Sequence, residues 1–137
     1  MNSSNSSVLQ QQDQRITGLV TKVTGNQMPT VGENDSRNQP QPIQTKVWIF
    51  SGQITAQGTR WPREQARQHS NLVGWITTNT NGSFSVGLPP GEYTIFIEDG
   101  TDLYLNSFLG NGNYESVEVT EGEITEINIV NTEEATF

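Results

Sequence analysis

Asn79-Thr80-Asn81-Gly82-Ser83-Phe84-Ser85-Val86-Gly87-Leu88-Pro89-Pro90-Gly91-Glu92-Tyr93 is the stretch whose reading decides the fold. Asn81-Gly82 supplies the positive backbone angles of a tight hairpin turn. Phe84, Val86 and Leu88 then recur at a spacing of two, which places them on one face of a strand. Pro89, Pro90 and Gly91 reverse the chain again, the prolines by fixing φ and the glycine by admitting a left-handed angle. Tyr93, Ile95 and Ile97 open a second alternating set. The Tyr93 ring is expected in the core, with its hydroxyl on a backbone partner. Gly82, Phe84, Pro90, Gly91 and Tyr93 therefore all have structural work. Strands with one apolar face must pack on another layer.

The same texture extends in both directions. Ile16 to Thr24, Thr45 to Ser51 and Leu72 to Thr78 read as strands before the turn, and Glu115 to Thr120 and Glu123 to Asn131 after Tyr93 to Ile97. With Ser83 to Leu88 that makes about seven strands, an all-β sandwich formed by residues 15–137 behind a flexible Ser/Asn/Gln lead at 1–14. The unbroken apolar run Val47-Trp48-Ile49-Phe50 predicts a strand covered on both faces. Two long polar connections, 26–44 and 53–71, are read as loops, with room for a turn or two of helix only after Trp61-Pro62. Residues 98–113 are read as a further loop with an extended piece around Tyr104 to Leu109.

At 137 residues the chain is one domain's worth. With 31% hydrophobic and 16% charged residues, the chain is too apolar and too patterned for disorder and too polar for a membrane span. The N-terminus lacks the sections of a signal peptide. Cysteine is absent, which excludes disulfides and thiolate chemistry. The net charge of −8 is unevenly placed. Residues 1–91 carry seven Lys or Arg against four acids, whereas residues 92–137 carry eleven acids and no Lys or Arg. Such a balance excludes nucleic acid and an anionic membrane surface as partners.

Ile16-Thr17-Gly18-Leu19-Val20, Val47-Trp48-Ile49-Phe50, Thr77 to Phe84, Leu88-Pro89-Pro90-Gly91-Glu92-Tyr93 and Val117-Glu118-Val119 together resemble the carboxypeptidase regulatory-like family. The resemblance covers residues 15–131. It implies a Greek-key, prealbumin (transthyretin)-like sandwich related to the Cna-B modules of bacterial surface proteins. It further implies a non-catalytic binding or accessory module of the cell envelope, at the cell surface, in the periplasm or secreted, with any leader already removed. Cna-B modules join a lysine of the first strand to an asparagine of the last, assisted by a buried acid. Lys22 and Asn131 are the matching pair. The acid is expected four residues after the tyrosine, where Ile97 stands, and Glu98 points to the opposite face.

Three further sites follow from residue chemistry. Trp61, Tyr104 and Tyr114 fall in loops, where flat rings could stack on a glycan or meet a protein, and Arg60, Arg63 and Arg67 flank Trp61 with positive charge. Trp48 and Trp75 lie within strands and are expected in the core. Glu98, Asp99 and Asp102 place three carboxylates within five residues, a candidate calcium site though not an EF-hand; no other cofactor is expected. His69, the sole histidine, has no Gly-x-Ser-x-Gly elbow to serve, so the chain is expected not to be an enzyme. The competing readings are a structural or adhesion module and, more remotely, a small hydrolase using His69 or the Asp99/Asp102 pair.

Overall fold

The computed structural model describes residues 14–23, 25–26, 40–132 and 135–136. The lead 1–13 and the greater part of the first long connection lie outside the described residues. All seven expected strands form: β1 (Arg15–Lys22), β4 (Lys46–Ser51), β6 (Leu72–Thr77), β7 (Ser83–Gly87), β8 (Gly91–Asp99), β10 (Val117–Val119) and β11 (Ile124–Asn131). Among the described residues, shorter pieces join them: β2 (Gly25–Asn26), β3 (Gln41–Pro42), β5 (Arg60–Pro62), β9 (Asp102–Tyr104), β12 (Ala135–Thr136) and one short helix, α1 (Arg63–Arg67).

Two main sheets face each other, and β2 and β12 form a separate parallel pair. The smaller runs β11-β1, with β7 and then β3 sharing the far side of β1. The larger runs β5-β9-β8-β4-β6, with β10 beside the first residues of β8. The chain crosses between sheets after β3, β6, β7 and β10, so sequence neighbours often sit in opposite layers. β1 and β11 pair in parallel along their whole length, from Arg15 opposite Ile124 to Lys22 opposite Asn131.

The core between the sheets is assembled from the inward residues of the alternating sets: Ile16 and Val20 of β1, Val47 and Ile49 of β4, Phe84 of β7, Tyr93, Ile95 and Ile97 of β8. The Tyr93 hydroxyl donates to the Pro89 carbonyl at 2.7 Å, the corner contact that the sequence predicts. Gly82 has φ +79°, and a Cβ there would lie 2.5 Å from the Val20 carbonyl. Only glycine meets both demands.

A second apolar cluster covers the outer face of the larger sheet. Trp48 and Phe50 of β4 and Phe96 of β8 point outward, and Ile54, Trp61, Ala66, Leu103, Leu105 and Tyr114 close over them. The double coverage expected for β4 is thus real. The connection 53–71, however, is not the solvated loop the polar sequence suggested. It supplies Ile54, the β5 strand that pairs with β9, and α1, whose Ala66 is fully buried. Gln14 also departs from expectation. It is buried, donating through Nε2 to the Leu88 carbonyl at 3.0 Å and accepting from the Gly122 N–H at 3.3 Å. None of the described helices is long and apolar enough to cross a membrane.

Candidate functional site

Three of the residues singled out by the sequence meet at one end of the sandwich. The parallel register sets Lys22 directly beside Asn131. Both side chains share the inward phase of their strands, because a strand alternates faces with period two. Asp99, the last residue of β8 in the opposite sheet, reaches them. Its Oδ1 lies 3.9 Å from Lys22 Nζ, and its Oδ2 accepts a hydrogen bond from Asn131 Nδ2 at 3.0 Å. Asn131 is 1% exposed, so its amide is dry.

Asp99 is the acid that the sequence did not find at the pattern's usual place. It stands six residues beyond Tyr93 rather than four, at the very end of β8. The sequence marks it only as a candidate calcium ligand or half of a hydrolase pair, although it continues the inward set Tyr93, Ile95 and Ile97; what it meets there depends on how the two sheets are stacked.

A second cation enters from β5. Arg60 donates from Nη1 to Asp99 Oδ2 at 3.1 Å, from Nη2 to the Asp99 carbonyl at 2.8 Å, and from Nε to Asp102 Oδ2 at 2.9 Å. Burial pushes the Asp99 carboxyl toward the neutral form. The Asn131 and Arg60 hydrogen bonds and the charges of Lys22 and Arg60 outweigh it, and the group stays below the usual aspartate range. The hydrogen bond to Asp102 likewise holds the Arg60 guanidinium above its ordinary value against partial desolvation. The arrangement is an ion-paired clasp. It ties β1 and β11 of one sheet to β8, β9 and β5 of the other.

The remaining candidates are redistributed. Trp61, Tyr104 and Tyr114 are 4%, 1% and 0% exposed, so none presents a ring to a ligand. Trp61 packs on Phe50 and Phe96, and the Tyr114 hydroxyl accepts from the Gln57 N–H and donates to the Gly58 carbonyl. Trp61 and Tyr114 are buried because the outer face of the larger sheet needed a cover, and Tyr104, on β9, belongs to the core between the sheets. Arg60 and Arg63 are spent on internal acids, Arg63 on Glu98 at 2.7 Å; only Arg67 of the three stands exposed.

The calcium reading fails on direction. Glu98 turns to the outer face, accepting from Trp48 Nε1 at 3.0 Å and pairing with Arg63, while Asp99 and Asp102 turn to Arg60. Among the described residues no three metal-ligating side chains converge. His69 packs edge-on against Phe50 and Trp61, and its Nδ1 accepts from the Asn71 N–H at 3.0 Å. Trp75 was expected in the core yet is 43% exposed, its ring stacked on Trp48 at 4.6 Å with Lys46 Nζ 5.8 Å away.

No protein-family model matches this sequence, and no curated relative matches it either. Among solved structures, the chain is similar to GBS52, the minor pilin of the gram-positive pathogen Streptococcus agalactiae, at 13% identity and TM-score 0.47. It is also similar to a DUF3823 family protein from Parabacteroides merdae, at 19% identity and TM-score 0.37. The alignments cover 87% and 85% of this chain but 44% of each of the other two, so the chain spans less than half the length of either.

Proposed function

We propose that this chain is a non-catalytic accessory module of the cell envelope whose work is structural, holding its shape under tension between neighbours. One observation carries the reading: the first and last long strands are parallel partners over eight residues, clasped at the far end by Asp99. Tension applied through the two ends of a parallel pair slides one strand along the other. Every ladder hydrogen bond between them is then loaded together, instead of being opened one after another. The clasp adds a contact across the two sheets where the load leaves β11.

Lys22 and Asn131 are also placed for a covalent version of the clasp. Unprotonated Lys22 Nζ would bond to Asn131 Cγ, and the Asn131 side-chain nitrogen would leave as ammonia. Arg60 argues for the ionic form, since its hydrogen bond and charge help hold Asp99 anionic, with no carboxyl proton to give to the departing Asn131 nitrogen. The test is single-molecule pulling together with intact mass. Pulling from the two ends is expected to need more force than peeling β11 away from one end, and Asp99→Ala is expected to lower it. Equal forces in both geometries would remove the structural reading. The mass is expected to match the sequence; a loss of one ammonia would replace the ionic clasp with the covalent one.

A second reading, binding of a glycan or a protein, is favoured by Trp75 alone. A stacked, part-exposed ring with a neighbouring ammonium suits a sugar face or an aromatic partner. Glycan-array binding lost in Trp75→Ala would support it, and a blank array would dismiss the glycan form.

A further inference from the structure

The outer strand of the smaller sheet is open. Arg15 N–H donates to the Glu123 carbonyl at 3.1 Å and Val23 N–H to the Asn131 carbonyl at 2.9 Å, which fixes the phase of the β1–β11 ladder. Odd-numbered residues of β11 turn their backbone groups toward β1. The N–H and C=O groups of Glu126, Asn128 and Val130 therefore point away, and among the described residues no strand pairs with that side.

Sheet edges are ordinarily blunted by proline, bulges, short length or inward charges. β5 follows this rule, with three residues ending in Pro62, and β6 has an irregular register against β4. β11 has eight regular residues, no proline and no inward charge, and it exposes Ile124 and Val130 on its outer face.

A groove runs along the inner flank of the same edge, between β11 and the facing sheet. Its volume is about 230 Å³, with an apolar lining from Ile95, Leu105, Val117, Ile127 and Ile129 and Glu115 at the rim. That volume is below the roughly 300–1,000 Å³ of small-molecule sites and suits side chains delivered by a strand. The surroundings are acidic: Glu126 lies on the edge itself, Glu118 on β10, and no Lys or Arg occurs in residues 92–137.

We propose that the free edge of β11 accepts an extended segment of a partner protein that alternates apolar and basic residues. The segment hydrogen-bonds to the backbone of Glu126, Asn128 and Val130. Its apolar side chains enter the groove, and its Lys or Arg side chains, which face the other way, lie beside Glu126.

The test uses a labelled, capped peptide of four Val-Lys repeats, a four-repeat Val-Glu peptide, and a peptide with the valines and lysines in separate blocks. Fluorescence anisotropy is expected to show salt-sensitive binding of the Val-Lys peptide only, with amide NMR shifts centred on residues 126–130. Asn128→Pro deletes a donor on the free edge without touching the ladder to β1, so affinity is expected to fall about tenfold, the scale of one or two ladder hydrogen bonds. Glu126→Lys, an exposed charge reversal that keeps the test alive if the proline variant does not fold, is expected to weaken Val-Lys binding and admit Val-Glu. Absence of Val-Lys binding, equal binding of all three peptides, or indifference to both variants would overturn the proposal. Dimerisation without peptide, abolished by either variant, would also overturn it by giving the edge to a second copy.

Discussion

The Asp99 side chain meets one amide and two cations, and its backbone carbonyl is held by one of them, Arg60. Replacing it with alanine removes the carboxylate oxygen shared by the dry Asn131 amide and Arg60 Nη1, while Arg60 keeps Asp102 and the residue-99 carbonyl. The expected cost is about 2–3 kcal/mol, read by urea unfolding at neutral pH. The pH dependence has a definite sign. The folded-state pKa of Asp99 lies below its ordinary value, so its contribution is complete above about pH 4 and is lost as pH falls through the folded value. Acid titration of stability in wild type is expected to be steeper below pH 4 than in Asp99→Asn, and parallel curves would show that the carboxylate contributes nothing. Tyr93→Phe removes a single hydroxyl contact to Pro89, and about 1 kcal/mol is expected from chemical denaturation.

At the scale of elements, β4 explains why the molecule has two apolar clusters. A strand reading Val-Trp-Ile-Phe has no polar face to give to water, so something must lie on each side of it. Val47 and Ile49 take the smaller sheet; Trp48 and Phe50 take β5, α1 and the segment that carries Tyr114. Trp61 is thus a structural anchor, and Trp61→Ala is expected to cost about 3–5 kcal/mol in thermal or urea unfolding. An unchanged midpoint would return Trp61 to the list of ligand candidates. Gly18 shows how tightly β1 is seated: a Cβ there would lie 2.5 Å from the Phe84 ring and 2.8 Å from the Ile127 carbonyl. Gly18→Ala is expected to lose about 1–3 kcal/mol by overpacking, and a neutral result would mean that the Phe84 ring can withdraw.

At the scale of the whole molecule, two sheets and a covered outer face are joined by an ionic clasp beside the parallel pair β1 and β11. The alternation of Ile16, Val20, Phe84, Tyr93, Ile95, Ile97 and Val119, the Asn-Gly turn and the Pro-Pro-Gly reversal were enough to place seven strands, because each signal is local: a period of two, or a backbone angle. Lys22 and Asn131 were likewise readable as a pair from strand phase and family resemblance. Two facts came only from the tertiary structure. Asp99 became the clasp because strand stacking, which no local pattern encodes, brings the end of β8 over the β1–β11 seam. Trp61, Tyr104 and Tyr114 left the surface, and Trp75 stayed on it, because burial is settled by which segment happens to cover a face. Local chemistry fixes what a strand will tolerate on each side; only packing decides what it receives.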